Sequence, residues 1–515
     1  MAKRFIFGKD VVCGVVAART AADAQRQIRR ALRYTQTLEV RFDWLSTAAE
    51  RARLIVALKN SGILRRAAII ATCRGREAGG KFSGSLLAQL SVLRSAIDAR
   101  CEWADLEIEA IDAVPPFTLD LYTSKARRIA SYHDYRRAPS RSELEGMVRR
   151  MKEISERNGF EAIKIAVQCD SLRGALDVLD LARQSLKSRL IAVPMGDVAS
   201  PLRLLAPRFG SALSYAPVEH STAPGQIPLA DLRELYPSGG VSSRTRIYGV
   251  IGDPIGHSLS PVLHNTGFHA RKIDATCLPF RVIDLKDFLD TIVPLGISGF
   301  SITLPHKEKI LAHLDRIDPL AASVGAANTV VVQHDAKLFG YNTDCLGILR
   351  SLEGRLPIRG SRVLIFGAGG VARAAAFALE KSGASVSICS RRMDRVRRLA
   401  AAVHGEAIAR TALKKMLFDV IINATPLGMH PHENQSPLAG QELNCRLAFD
   451  TVYRPRKTKF LQLAEKRGIE TISGLEMFLA QGIAQWGIWT GQPAPVAAMR
   501  RAVLEAVRRD ERKKE

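Results

Sequence analysis

Eight short apolar, β-branched stretches, each followed by a segment long enough for a helix, recur in the first half of the 515-residue chain. They fall at residues 11–17, 38–42, 68–73, 103–108, 128–132, 162–167, 190–193 and 212–215. Helix-like patterns lie between them, as at 48–58, 86–99, 142–158 and 172–184. Strand and helix alternating in this way make parallel β/α units. Eight such units in roughly 240 residues predict a closed (β/α)8 barrel, with an open doubly wound sheet as the alternative. The stretch 236–246, YPSGGVSSRTR, has no periodicity and reads as a linker. From residue 247 the α/β alternation restarts, and it restarts again at Ser361 as strand, glycine turn and helix. The tail, 475–508, reads as mostly helical. Length alone already asks for two or three domains.

With 47% hydrophobic and 24% charged residues the composition is that of a globular protein. No apolar run reaches the ~20 residues of a membrane span. The first 16 residues are broken by Lys9 and Asp10 and carry no signal-peptide cleavage pattern, so a cytoplasmic location is expected. Eight cysteines, from Cys13 to Cys445, contain no C-x-x-C pair and point to neither a disulfide framework nor a zinc site. No metal is expected. The net charge of +24 admits nucleic-acid binding as a rival reading. The basic residues are spread along the whole chain, aromatic content is 6%, and no nucleic-acid module is visible. A surface that attracts small anions fits better, with small-molecule substrates as the partners.

In a barrel the reactive groups gather at the C-terminal ends of the strands. In EAIKIAV, Ala162, Lys164 and Ala166 are expected to face the barrel axis while Ile163, Ile165 and Val167 face the helices. Burial disfavours an ammonium and makes a neutral amine available to attack a carbonyl. The competing reading is a lysine neutralised by a barrel glutamate such as Glu39 or Glu107. His133 ends the fifth stretch in RRIASYHDY, one strand before the lysine, and an imidazole there can remove and return protons. Arg41 and Arg74 offer forks for a carboxylate. After the eighth stretch, TAPGQ (222–226) is placed to close over a polar ring.

Through LEVRFD, TCR followed by a GG pair, SYHDY, IKIAV and APGQI, residues 8–236 resemble type I 3-dehydroquinate dehydratase. The resemblance implies a Schiff base between Lys164 and the ring ketone, with His133 taking the proton α to the iminium before water leaves. It also implies dehydroquinate binding by Glu39, Arg41, Arg74, Arg203, Thr222 and Gln226. Two positions depart from the family pattern. Ala78 stands before the GG pair where glutamate is usual, with Glu77 one residue earlier, and Thr222 stands where serine is usual. Glu77 supports the histidine only if the loop shifts.

Gly367, Ala368, Gly369, Gly370 and Val371 follow the stretch 363–366 and open a helix, which suits close approach of a pyrophosphate. The next stretch, 385–389, ends in Ser390, Arg391 and Arg392 where an NAD site usually shows an acid. Guanidinium groups suit a 2′-phosphate, so NADP(H) is the expected cofactor, against a reading as solvated surface arginine. Upstream, GDPIGHSLSPVLHN (252–265) carries Ser258 and Ser260, which can jointly hold a carboxylate, though serine-rich loops are often turns. SITLPHK places Lys307 just beyond a strand, and GYNTD supplies Asp344. That pair is either a proton-transfer couple beside a carbonyl receiving hydride or an ordinary ion pair.

With INATPLGM (422–429), DTVYRP (450–455) and GLEMFLAQG (474–482), these motifs resemble shikimate dehydrogenase over residues 247–505. The resemblance implies that Ser258, Ser260, Thr303, Asn328, Asp344, Tyr453 and Gln481 hold shikimate and that Lys307 is catalytic. It implies a cofactor cleft lined by the 367–371 turn, Ser390, Arg391, Arg392, Asn423, Thr425, Met429, Val452 and Gly474. Ser390 and Arg392 replace an asparagine and a threonine common around the first arginine. The expected architecture is a barrel (1–238), a linker (239–246), a substrate domain (247–345), a Rossmann-like NADP domain (346–470) and returning C-terminal helices (471–515). The product of the first family's reaction is the substrate of the second, so two consecutive steps are expected. The alternative is a degenerate barrel beside a working dehydrogenase.

Overall fold

A computed structural model describes residues 10–60, 62, 67–123, 125–184, 189–236 and 241–512. The chain divides into two compact units. One runs to Thr245 and takes in Lys286–Pro294; the other is Arg246–Leu285 with Leu295 onward.

The first unit is built on β1 (Val12–Val16), β2 (Thr37–Arg41), β3 (Ala68–Thr72), β4 (Trp103–Glu107), β5 (Arg127–Asp134), β6 (Ala162–Gln168), β7 (Leu190–Met195) and β8 (Ser214–Pro217). Every adjacent pair is parallel, in the order β7-β6-β5-β4-β3-β2-β1-β8. At the seam, Ala212 N donates to Leu190 O (3.0 Å) and Ala192 N to Ser211 Oγ (3.0 Å), which brings β7 and β8 together as an open sheet would not. The strands read as near-continuous apolar runs because both faces are covered. Their inward positions, including Cys13, Ile70, Trp103, Ala162, Ala166, Ile191 and Tyr215, share one core. Helices such as Arg141–Asn158 surround them, this one started by a Ser140–Glu143 capping box and ended by Gly159 at φ 65°. Of the predicted linker, residues 239 and 240 lie outside the described residues. The stretch before the next strand is a fixed turn, with Ser242 N on Thr245 Oγ1 (3.0 Å) and the Arg208 guanidinium on Thr245 O (2.7 Å).

The second unit holds two six-stranded sheets. The first comprises β9 (Arg246–Gly252), β10 (Ala275–Arg281), β11 (Ile297–Ile302), β12 (Arg316–Ile317), β13 (Thr329–Val332) and β14 (Leu338–Tyr341), ordered β10-β9-β11-β13-β14-β12. It is mixed, since β13 runs antiparallel to both β11 and β14. The second comprises β15 (Arg362–Phe366), β16 (Ser385–Cys389), β17 (Glu406–Ala407), β18 (Phe418–Asn423), β19 (Cys445–Asp450) and β20 (Glu470–Ile472). It is wholly parallel, ordered β17-β16-β15-β18-β19-β20, so the strand order reverses between β15 and β18. Such a reversal opens a crevice at the carboxyl ends of the two strands. The helices Asp344–Leu352 and Gly370–Lys381 share a core to which Met477 of the helix Gly474–Thr490 contributes. Met499, Val503 and Val507 of the last helix, Val496–Arg512, pack with Tyr248, Leu263 and Phe268 around the mixed sheet.

Candidate active sites

Strand alternation brings the first cluster together. Lys164 on β6 stands in register with Ser131 on β5, and His133 follows two residues on, facing the same way. Lys164 is 3% exposed, and its Nζ donates to Glu39 Oε1 (3.1 Å) and Asp105 Oδ2 (3.0 Å). The lysine thus lies on the axis as expected, but its partners are Glu39 and Asp105. Glu107 is turned elsewhere, accepting from Gly75 N (3.1 Å) and Gln89 Nε2 (2.8 Å), with Arg74 Nε at 3.7 Å. Thr72 Oγ1 donates to Glu39 (3.0 Å), and Ser131 Oγ (2.6 Å) and Arg74 Nη2 (3.1 Å) both donate to Asp105 Oδ1. Burial opposes the Asp105 carboxylate, but the Lys164 ammonium and the Arg74 guanidinium outweigh it and hold the carboxyl far below its usual range. Two carboxyl groups beside one amine hold it by hydrogen bonds that must open before its nitrogen can attack.

His133 lies in the field of the same cations. Burial, then Arg74 and Lys164, push its pKa well below the ordinary imidazole value, leaving a neutral base. Its Nδ1 is buried without a hydrogen-bond partner among the described residues. Glu77 is exposed, so the support that a shifted loop would supply is absent. The ring is instead stacked on Tyr135, with centroids 6.2 Å apart and planes 13° from parallel. Gly79, at φ 77°, makes room for that tyrosine, because a Cβ there would stand 2.2 Å from its ring. Arg41 is buried with its fork closed on Asp43 (2.9 and 2.8 Å), so a substrate carboxylate would have to compete for it. Arg203, in the helix Ser200–Leu205, donates to Pro224 O (3.1 Å), and burial lowers its pKa to about 10. Gln226 Oε1 gathers Thr222 N (2.7 Å) and Thr222 Oγ1 (3.3 Å), folding the 222–226 segment onto itself.

In the second unit, Lys307 follows β11 and Asp344 begins the helix Asp344–Leu352; Nζ and Oδ2 are 2.5 Å apart. Asn328 Nδ2 donates to Asp344 Oδ1 (2.8 Å) and Thr343 Oγ1 (2.9 Å), and stands 3.5 Å from Gln481 Oε1. Ser260 opens the helix Ser260–Arg271 and its N–H donates to Ser258 Oγ (3.3 Å). The Tyr453 ring lies against Phe478, with centroids 4.6 Å apart, and burial raises the phenol's pKa. Thr303 follows β11, its N–H on Ile251 O (2.9 Å). Ser258, Ser260, Thr303 and Lys307 thus follow the carboxyl ends of β9 and β11, while Asp344 and Gln481 come from the helices Asp344–Leu352 and Gly474–Thr490 and Tyr453 follows β19.

The Rossmann-like sheet supplies the neighbouring crevice. Gly367, at φ 140°, follows β15, and a Cβ there would stand 2.7 Å from Ala424 O. Gly369 caps the helix Gly370–Lys381 and faces open space, with no atom within 4 Å of a Cβ. A Cβ on Gly370 would reach 3.3 Å from the Lys307 side chain, so the turn abuts the catalytic lysine candidate. Val371, beside it, is half-buried and Ala368 likewise. Such a bare backbone at a helix start is a cradle for a dinucleotide pyrophosphate. Past β16, Arg391 and Arg392 are exposed beside Ser390; Arg392 lies 3.6 Å from Asp394, while Arg391 has no ion-pair partner among the described residues. Asn423 ends β18 and Thr425 follows it, with Thr425 Oγ1 on Asn423 Oδ1 (2.7 Å) and Asn423 Nδ2 on Asp450 Oδ1 (2.9 Å). Asp450 also accepts from Val452 N (3.0 Å), and burial pushes its carboxyl up to about 7. Gly474 starts the helix behind Val452, where a Cβ would stand 2.5 Å from Thr451 O. Met429 is half-buried at the same edge. The donor set and bare turn fit NADP(H).

Comparison with known proteins agrees with this division. The family model of type I 3-dehydroquinase matches residues 12–243. The shikimate dehydrogenase substrate-binding domain matches 250–330, the shikimate/quinate 5-dehydrogenase family 351–434, and the shikimate 5′-dehydrogenase C-terminal domain 474–504. A bifunctional 3-dehydroquinate dehydratase/shikimate dehydrogenase from Arabidopsis thaliana, described as chloroplastic, is 33% identical over 89% of this chain and 78% of its own length. The chain belongs to this bifunctional family. NADP(+)-type shikimate dehydrogenases from Methanothermobacter thermautotrophicus (39% identical, 52% of this chain, all of theirs) and Methanosarcina acetivorans (40%, 51%, 99%) match the second half alone.

Against the family pattern, the sequence reading overlooked Asp105, which joins Lys164 to Arg74. Its signal was present, an acid two residues from Glu107 in the five-residue β4, where alternation turns Trp103, Asp105 and Glu107 to one face. Asp43, which closes the Arg41 fork, and Asp450, which orders Asn423, carried no comparable signal. Among the described residues no group of three or more His, Cys, Asp or Glu is placed to hold a metal ion. No helix there is long and apolar enough to cross a membrane.

Proposed function

We propose that Lys164 and Lys307 are the reactive amines of two consecutive steps on one carboxylate ring. The barrel dehydrates 3-dehydroquinate to 3-dehydroshikimate, and the second unit reduces that product to shikimate. In the barrel, Lys164 gives up a proton to the cluster around it and attacks the ring ketone. Neutral His133 takes the proton α to the iminium and returns it to the departing hydroxyl. Arg74 and Arg203 hold the ring's anionic and hydroxyl groups, with Arg41 and Glu39 beside them and Thr222 and Gln226 closing over the mouth. The observation that carries this reading is the buried Lys164 between Glu39 and Asp105, with His133 on the adjoining strand. Borohydride added with dehydroquinate should leave a covalent adduct on Lys164; folded protein that gains none would overturn the Schiff-base step and favour a barrel that serves only as scaffold.

In the second unit, bound NADPH supplies the hydride for the ketone. Lys307 holds the proton that the nascent alkoxide needs, and Asp344 fixes its direction. Ser258, Ser260 and Tyr453 bind the ring carboxylate, while Asn328, Thr303 and Gln481 bind hydroxyls. Gly367, Ala368, Gly369, Gly370 and Val371 cradle the pyrophosphate, with Ser390, Arg391 and Arg392 on the 2′-phosphate. Asn423, Thr425, Met429, Val452 and Gly474 line the nicotinamide side. On this reading residues 247–345 form the substrate domain, 346–470 the NADP domain and 471–515 the returning helices. The chain works without a metal or nucleic-acid partner, in the cytoplasm.

A further inference from the structure

Tyr215, the second residue of β8, is 5% exposed and faces the barrel interior beside its register partner Cys13. Its ring covers Lys164, with the centroid 4.2 Å from Nζ, while Glu39 and Asp105 take other sides of that nitrogen at 3.1 and 3.0 Å. Its hydroxyl is buried and has no hydrogen-bond partner among the described residues. A phenylalanine would fill the same space without an orphaned polar atom, and buried hydroxyls are ordinarily paired. The charged and polar groups near the phenol, Glu39, Cys13, Asp105 and Arg74, are those of the Lys164 cluster. Burial pushes the phenol well above its usual value, so the hydroxyl keeps its proton and can only gain by donating it to a bond.

We propose that Tyr215 is a further catalytic residue of the dehydration, donating a hydrogen bond to the ketone oxygen that Lys164 attacks. This rests on the Schiff-base reading above. As the N–C bond forms, the carbonyl electron pair moves to oxygen, and the phenol stabilises the oxyanion. The carbinolamine hydroxyl then leaves as water. The two protons that leave in that water are the two that the ammonium loses on becoming an N–H iminium, so no outside acid is consumed. The phenol ends the step as it began, protonated.

Tyr215→Phe tests this, because that oxygen makes no hydrogen bond among the described residues. Rapid quenching with borohydride after mixing with dehydroquinate measures how fast the Lys164 adduct forms. The expected result is adduct formation slowed roughly 10²-fold, as for loss of one oxyanion donor. Thermal stability should be equal or higher, and reduction of 3-dehydroshikimate by the same chain should be unchanged. Wild-type protein that forms the adduct alongside a variant that forms it equally fast would overturn the role of Tyr215 alone. Wild-type protein that forms none would overturn the Schiff-base reading beneath it.

Discussion

Around Lys164 and Lys307 the same problem is solved with different neighbours. Lys164 is shared by Glu39 and Asp105 in a closed core, whereas Lys307 has one carboxylate, Asp344, whose other oxygen is tied to Asn328. If Lys307 delivers a proton only during ketone reduction, Lys307→Ala should lower turnover by roughly 10²–10⁴ while NADPH still binds. Titrating NADPH into the variant checks this, and near-normal turnover would remove Lys307 from the chemistry. Glu107 offers a pH test. Burial pushes its carboxyl up to about 7, against the pull of Arg74. A raised acid stabilises the fold most below its ordinary range and loses that contribution as pH rises through about 7. Wild-type barrel stability should therefore fall by a few kcal/mol, on the order of ~3, between about pH 5 and about pH 8. Glu107→Gln should flatten that dependence; parallel denaturation profiles for both proteins would show that Glu107 is already ionised throughout.

At the scale of elements, alternation and length made the strands legible. Each of the eight barrel strands overlaps its apolar stretch, because burial on both faces leaves an uninterrupted apolar run. β5 extends further than its apolar part, to Asp134, since His133 and Asp134 continue the ladder with Ala166 and Val167. Backbone pairing continues where hydrophobicity stops, and no hydropathy pattern reports that. The Lys164 and His133 pair could be read because adjacent parallel strands bring like-facing residues together. The Arg41–Asp43 fork could not, because it depends on side-chain rotamers beyond the strand end. The β16 terminus makes a prediction of its own. Arg391 is exposed, without an ion-pair partner among the described residues, at the strand end beside the glycine turn. Arg391→Ala should weaken NADPH by roughly ten- to a hundredfold, the scale of a charge-assisted hydrogen bond, and leave NADH nearly unchanged. Equal losses for both dinucleotides, measured by fluorescence titration, would rule out a 2′-phosphate contact.

On the scale of the whole molecule, two folds are carried on one chain, and chemistry links them. A (β/α)8 barrel gathers its reactive side chains at the strand ends, and a doubly wound sheet opens its crevice where strand order reverses. Both folds present a lysine amine there, Lys164 buried in the barrel and Lys307 half-buried beside the glycine turn. The charge of +24 suits the anionic substrates and cofactor of both sites. The most direct test follows NADPH oxidation after dehydroquinate is added to the intact protein, to Lys164→Ala and to Lys307→Ala. The account predicts one NADPH consumed per dehydroquinate by wild-type protein and a rate lower by roughly 10²–10⁴ for Lys307→Ala. Lys164→Ala should consume NADPH only when 3-dehydroshikimate is supplied. Oxidation by Lys164→Ala with dehydroquinate at the wild-type rate would contradict it.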